Sequence, residues 1–327
     1  MRKYWKEILL ALVLGLALPW AVAAAGKKSP GPATEITATG ATETTTAPTE
    51  TAARTLKVLQ NGQTVEMDLD EYLTGVLLGE IPADFEPEAK KAQAVVARTY
   101  ALRCAGGHSK HPEADVCTDA ACCQGYRTPE DYLASGGTQE AIDSAAEAVT
   151  ATHGQVLTYD GALIEATYFS CSGGRTEDAL AVWGTDVPYL CSVASPGEEA
   201  AQYDRDSVTF SRETLEKALD ISLGADRESW VGAATFTEGG GVEAMELGGQ
   251  RFTGVYLRKA LGLRSTAFTV TVEEGGLRFD TRGYGHRVGL SQYGANAMAA
   301  GGADFQTILS HYYPGTILLN YGESVEK

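Results

Sequence analysis

From Leu73 to Leu102 the apolar positions come in two bursts with a proline between them. The first burst, LTGVLLG, ends on a single acid, Glu80, after which Ile81-Pro82 turns the chain and Pro87 restarts it. A residue before proline is pushed out of the helical region, so the first helix should close at or before Ile81, with Glu80 at its C-terminal edge. Pro87 suits the first position of a second helix, and Glu86 and Glu88 suit its positive end. Ala92, Val95, Val96, Thr99 and Leu102 follow at helical spacing and predict a buried stripe.

The same pattern reading divides the rest of the chain. Alternation from Leu56 to Met67 around Asn61-Gly62 predicts a β-hairpin. The two helices just described run over Asp68 to Gly79 and Pro87 to Leu102, and a third amphipathic helix is expected from Gln139 to Thr152, stopped by Gly154. Strands are predicted at Val156 to Tyr159 and Leu163 to Phe169, joined at Asp160-Gly161. Ser211 to Leu219 reads as a capped helix, Ala233 to Leu247 as strand, turn and strand, Gly254 to Leu261 as a short helix and Phe268 to Phe279 as a hairpin. An Ala-rich helix ends at Gly301, and a last one spans Asp304 to Tyr313 before Pro314-Gly315. The sum is an α+β fold of helices and antiparallel hairpins, with a central substrate cleft and a second lobe around 200–265.

Arg2, Lys3 and Lys6 precede an uncharged run from Ile8 to Ala25, which predicts a secretory signal or a single membrane anchor over 1–25. Either way the remainder is expected outside the cytoplasm. Residues 26–54 are Thr, Ala, Pro, Gly and Glu with almost nothing large and apolar, the composition of a disordered linker. The folded region is then 55–320. A net charge of -17 speaks against nucleic acid, which needs a basic surface.

The candidate chemistry centres on Glu80. The helix dipole and apolar neighbours both disfavour a negative charge there, so the carboxyl group is expected to stay protonated and able to act as a general acid. Lys91 and Arg98, seven apart on the second helix, read either as solvated basic residues or as a cationic wall for an anionic substrate. Neither should approach Glu80 closely, since a cation would lower its pKa.

Four of the six cysteines, Cys104, Cys117, Cys122 and Cys123, crowd into one loop with His108 and His111. His111, Cys117, Cys122 and Cys123 offer the four donors of a tetrahedral zinc site, while an extracytoplasmic chain with an even cysteine count is also read as disulfide-bonded. Cys171 and Cys191 stand apart, and a disulfide between them is expected, with two buried free thiols as the alternative. Tyr284 to Gly294, YGHRVGLSQYG, is a glycine-rich turn before a helix without Walker or dinucleotide spacing. Ser291 is a natural N-cap, and Ser291 and Gln292 are candidate hydrogen-bonding groups for sugar oxygens; His286 is a candidate site or orienting histidine.

The stretch Gly79 to Tyr100 resembles the stage II sporulation protein D family, which has a Gly/Ser-Glu-Met/Ile-Pro turn followed by a Glu-Ala-Leu-Lys-Ala-Gln-Ala-x-x-Ala-Arg-Thr-Tyr helix; Lys90 replaces the usual Leu. Gly285 to Ala295 resembles its Gly-His-Gly-Val-Gly-Met-Ser-Gln-Tyr-Gly-Ala segment, with Arg287 in place of the middle glycine. The resemblance implies a lytic transglycosylase cleaving denuded peptidoglycan strands to 1,6-anhydro ends, with Glu80 as catalytic acid and Lys91 and Arg98 in the active region. It also implies zinc in the His-Cys loop, although Cys122 stands where His is common, and a peptidoglycan amidase as partner during forespore engulfment. A membrane-tethered glycan-binding scaffold without chemistry is the alternative, and a zinc hydrolase a weaker third.

Overall fold

The computed structural model describes residues 54–199 and 201–321, which fall within one compact unit. The predicted signal or anchor, and all of the predicted linker except Arg54, lie outside the described residues. Among the described residues no helix is long and apolar enough to cross a membrane.

The chain opens with the hairpin β1 (Thr55–Gln60) and β2 (Gln63–Asp68). Asn61 and Gly62 both take positive φ, 51° and 77°, the geometry that lets a two-residue turn follow the twist of its strands. Helix α1 (Leu69–Glu80) is capped by the Asp68 side chain, and α2 (Pro87–Arg103) starts on its proline. A π-turn at Cys104–His108 leads into the cysteine loop, anchored by β3 (Val116–Cys117) running parallel to β1. Then come α3 (Pro129–Ala134), α4 (Gln139–Ala151), β4 (Gln155–Tyr159), β5 (Ala162–Leu163), β6 (Tyr168–Phe169) and α5 (Ala179–Trp183).

Beyond them lie β7 (Arg205–Phe210), α6 (Arg212–Leu219), β8 (Val231–Phe236), β9 (Val242–Leu247), β10 (Gln250–Thr253), α7 (Gly254–Leu261), β11 (Phe268–Glu273) and β12 (Gly276–Arg282). The chain ends in β13 (Leu290–Ser291), α8 (Gln292–Ala300), α9 (Phe305–Tyr312) and β14 (Ile317–Asn320). The fold is thus mixed α+β with several small sheets, ordered β2-β1-β3, β14-β4-β5, β10-β9-β8, β11-β12-β7 and β13-β6. Most pairings are antiparallel; β1 with β3 and β6 with β13 are parallel.

Helix α2 is the axis of the first two cores. One face, with Ala94, Ala97, Ala101 and Leu102, packs against α1, α4 and β1; the other, with Ala89, Ala92, Val95 and Val96, packs against β4, α8 and α9. Alanine on both faces lets neighbours approach closely, so nearly every residue from Ala89 to Leu102 is buried. A third core is formed by residues between 208 and 279, including Leu215, Trp230, Leu247, Leu257 and Phe279.

The predicted strand over Leu163 to Phe169 is instead two short ones. Only β5 pairs with β4; β6 leaves that sheet and pairs with β13, 122 residues later, with Tyr168 beside Leu290 and Phe169 beside Ser291. That long-range pairing brings the glycine-rich turn to the Glu80 end of α1.

Candidate active site and metal cluster

Glu80 is the last residue of α1, as its place before Ile81-Pro82 required. Gly75 and Gly79, four apart, make one face of this helix smooth. A Cβ on Gly75 would lie 2.2 Å from the Tyr126 ring, and one on Gly79 would lie 2.8 Å from the Tyr126 backbone nitrogen. The loop after the cysteines can therefore lie directly on the helix, Arg127 N–H donating to the Gly75 carbonyl at 3.0 Å and Gly125 N–H donating to Glu80 Oε1.

Two further groups lie near enough to influence the same carboxyl group without a hydrogen bond to it, the Tyr168 hydroxyl from β6 and the Gln292 amide from the start of α8. Gln292 Nε2 is buried and has no partner of its own among the described residues. Behind Tyr168 the chain continues, Gln124 Nε2 donating to its oxygen at 3.2 Å while the Tyr72 hydroxyl donates to Gln124 Oε1 at 3.3 Å.

Burial is the largest influence on Glu80 and pushes its pKa above the ordinary carboxyl value; Gly125, Tyr168 and Gln292 pull it partly back by favouring the charged form. No cation and no second carboxylate figures among these influences. Burial thus favours the protonated carboxyl group, while the groups around it favour the carboxylate.

Of the other predicted site residues the structure brings Gln292 to Glu80, and not Lys91, Arg98, His286 or Ser291. Lys91 pairs with Glu88 at 2.6 Å, and Glu88 in turn accepts from the Phe305 amide at 2.9 Å, so it joins α2 to α9. Arg98 is 1% exposed and donates to the carbonyls of Val149, Thr152 and Gln155 at 3.0, 2.8 and 3.3 Å, with Asp70 at 3.7 Å. The reason is local: helix α4 ends there, and its last carbonyls need donors that only a long cation can bring. Burial lowers the Arg98 pKa to about 10. It is neither a solvated residue nor part of an open wall.

Ser291 is fully buried and caps α8, accepting from Gly294 N–H at 3.2 Å and donating to Glu198 at 2.7 Å. Its hydroxyl is fully committed. His286 lies between Phe169 and Trp183, ring centres 5.6 and 5.3 Å away, and its Nδ1 accepts from Val288 N–H at 3.1 Å. Burial, with Arg258 nearby, depresses its pKa to about 4, so it is neutral and supports the strand that carries Tyr168. His311, which had no evident partner in sequence, contacts the Ala194 carbonyl at 2.7 Å.

Arg287, standing where the resembled motif has glycine, adopts the left-handed φ of 67° that a glycine would. Its guanidinium repays that strain by pairing with the buried Glu177 at 3.0 Å and donating to the carbonyls of Ser172, Arg175 and Gly239. The turn is kept and a clamp is added.

The His-Cys loop closes on itself. Nε2 of His111 is 3.6 Å from Cys122 Sγ and 3.5 Å from Cys123 Sγ, the two sulfurs are 4.0 Å apart, and with Cys117 all four donor atoms lie within 4.8 Å of one another. A tetrahedron with Zn–S near 2.3 Å and Zn–N near 2.0 Å has edges of roughly 3.5–3.8 Å, so this cluster fits a zinc ion held by four protein ligands. Such an ion would have no open position and would act structurally, fixing the loop that hands Gln124 and Gly125 to Glu80. All six cysteines are free. The expected Cys171–Cys191 disulfide is therefore absent: Cys171 Sγ instead donates to Glu198 at 3.1 Å inside the core.

A row of rings leads away from the turn after Glu80. Phe85 meets Tyr293 at 5.1 Å, Tyr293 meets Tyr203 at 6.1 Å, and Tyr203 meets the exposed Tyr284 at 5.4 Å, with Arg264 over both of the last two. Rings of this kind are what sugar faces stack on. A separate groove of about 910 Å³ lies on the outer face of the β11-β12-β7 sheet. It shares no residue with the surroundings of Glu80, and its Arg278 pairs with Asp280 and Glu273 as on a solvated sheet face.

Sequence reading did not find Tyr168, Gln124 or Gly125. Gln124 follows the paired cysteines directly, and the Gly75/Gly79 spacing marks a helix face on which something must lie; Tyr168 had no local signal.

Fold and site together define a mixed α+β protein with a half-buried acid at a helix end, packed against a loop that carries a closed His-Cys₃ cluster. Residues 60–159 match the family described as stage II sporulation protein. The chain is 35% identical over 289 residues to stage II sporulation protein D of Bacillus subtilis (strain 168), covering 84% of each. It is 36% identical over 260 residues to the protein of that name from Bacillus amyloliquefaciens, covering 78% of this chain and 75% of the relative. With the amidase enhancer of B. subtilis it shares 29% identity over 308 residues, 76% of this chain but 40% of the relative. The chain belongs to the stage II sporulation protein D family.

Proposed function

We propose that this protein is a lytic transglycosylase that cuts denuded peptidoglycan glycan strands. The observation that carries the reading is the state of Glu80: half-buried at a helix end, its pKa raised by burial, its Oε1 accepting from a neutral backbone amide, and with neither a cation nor a second carboxylate among the influences on it within the described residues. Hydrolases normally pair two carboxyl groups, one to protonate the leaving oxygen and one to engage the anomeric carbon or a water. A transglycosylase does without the second, because the substrate supplies the nucleophile.

Glu80 gives its proton to the glycosidic oxygen as the C1–O bond of the muramic acid breaks. The 6-hydroxyl of that same sugar attacks C1, and its proton returns to the Glu80 carboxylate. The products are a 1,6-anhydro end and a free 4-hydroxyl on the departing glucosamine, with the enzyme regenerated and no water consumed. Burial suits the acid half of this cycle, and the donors Gly125, Tyr168 and Gln292 suit the anionic half. Tyr293, Tyr203 and Tyr284 extend from the site as a stacking surface for the strand.

Zinc, held by His111, Cys117, Cys122 and Cys123, would supply structural rigidity. Metal analysis of the purified protein should give one zinc per chain, lost on Cys123→Ser substitution. The setting we propose is extracytoplasmic, by way of a signal or anchor in the first 25 residues, in engulfment and alongside an amidase that strips stem peptides.

The name of the amidase enhancer relative favours a second reading, a scaffold that presents glycan to such an amidase without cutting it. Purified protein incubated with amidase-treated peptidoglycan decides between them. Mass spectrometry should show anhydro-ended fragments; binding without any cleavage would leave the scaffold, and reducing ends alone would reject the transglycosylase.

A further inference from the structure

The molecule holds a buried glutamate, Glu198, that the chemistry above does not use. Glu198 is 2% exposed and both its oxygens are saturated. Oε2 accepts from Cys171 Sγ at 3.1 Å, Ser172 N–H at 2.6 Å, Ser172 Oγ at 2.9 Å and Gly173 N–H at 3.0 Å. Oε1 accepts from the hydroxyls of Ser195 and Ser291, the latter at 2.7 Å.

These contacts join two pieces of chain that meet nowhere in sequence. Cys171, Ser172 and Gly173 follow β6, which carries Tyr168, after the single residue Ser170; Ser291 ends β13 and caps α8, whose first residue is Gln292. Tyr168 and Gln292 are the two side chains that approach the Glu80 carboxyl group. The β6-β13 ladder holding them is only two residues long on each side, too short to fix its own register. A group that accepts from both strands' extensions supplies what the ladder lacks. There is no space for alternatives on the α8 side, since a Cβ on Gly294 would lie 2.5 Å from Glu198 Oε1.

We propose that Glu198 is a positioning residue of the active site, acting through Ser291 and the Cys171–Gly173 turn to hold Gln292 and Tyr168 against Glu80. The unpartnered Nε2 of Gln292 is the group whose placement it sets. The inference rests on the transglycosylase reading for its kinetic consequence, but its geometric content does not.

The test uses the whole protein with Glu198→Gln, which turns an acceptor into an amide donor facing donors on one side or the other. The pH titration of the Glu80 carboxyl carbon, followed by NMR, should move upward in the variant, because two groups that favour its charged form have been loosened. Activity on denuded glycan should fall about tenfold or more in kcat with KM nearly unchanged, and the alkaline limb of the pH profile should move with the titration. In a Gln292→Ala background, Glu198→Gln should cost clearly less than it does alone.

Ser195→Ala removes a neighbour of Glu198 that reaches neither strand, and should leave the Glu80 titration in place. If Glu198→Gln does not fold, Glu198→Asp, too short to span both sides, takes its role. An unmoved Glu80 titration in the folded variant, or a kcat loss fully additive with Gln292→Ala, would overturn the proposal. A wild-type chain that cleaves no glycan would defeat the transglycosylase reading alone, since the Glu80 titration is read without substrate.

Discussion

Glu80 and the Glu198/Glu177 region are two ways of enclosing a carboxyl group in one protein, the first half-buried and the other two buried. Glu198 has six hydrogen bonds on its two oxygens, and Glu177 has a guanidinium, a threonine hydroxyl and a backbone amide on Oε1. Glu80 has one backbone amide and two side-chain donors nearby, and no cation. On the proposed function, that difference separates structural from chemical use. A buried carboxyl group with many donors, or with a guanidinium, ties chain segments together even where one oxygen, Glu177 Oε2, is left without a partner; one with a single amide leaves most of its lone pairs free.

Breaking each kind should therefore look different. Glu80→Gln is expected to lower kcat by about 10³-fold or more while leaving the melting temperature within a few degrees; a comparable loss of stability would show that Glu80 belongs with the structural group. Arg287→Ala should do the opposite, stranding Glu177 and costing about 3–5 kcal/mol in denaturant unfolding, much of it recovered by adding Glu177→Gln. Failure of the second change to rescue would mean that the carbonyl contacts of Arg287, not the ion pair, carry the clamp.

The pH profile sharpens the contrast further. An acid that must be protonated loses activity as pH rises through its pKa, so with Glu80 raised by burial the alkaline limb of kcat/KM should lie above the ordinary carboxyl range and fall about tenfold per unit beyond it. A limb at ordinary carboxyl pH would mean that water reaches Glu80 in solution. The smallest effect is expected at the saturated end: Ser195→Ala removes one of six contacts to Glu198 and should cost about 1 kcal/mol of stability, measured by urea unfolding.

The regions differ as much in how far the chain reveals them. Glu80 was legible because everything that singles it out is local: an apolar run before it, a proline two residues after it and a second helix start at Pro87. Arg98 was not. Its charge and its distance from Lys91 suggested a surface, but α2 is packed on both faces and the end of α4 claims the guanidinium. The Cys171–Cys191 pairing was drawn from compartment and count, which say nothing of where each sulfur points. The metal cluster came out as a set because its four donors lie within thirteen residues and one loop has few ways to close.

By itself the sequence determined the elements whose causes are short-ranged. The Asn61-Gly62 turn, the Ser211 and Asp304 caps, the helix at Gly254–Leu261 and the acid at a helix end follow from backbone preferences acting over a few residues. Only the tertiary structure decided that β6 pairs with β13, and with it that Tyr168, Gln292 and Gly125 surround Glu80 while Glu198 holds them there. Two-residue strands carry too little hydrophobic pattern to name a partner 122 residues away. Which one they find is settled by the packing of α1 and α8 on opposite faces of α2, an outcome of many contacts that no single stretch of chain encodes.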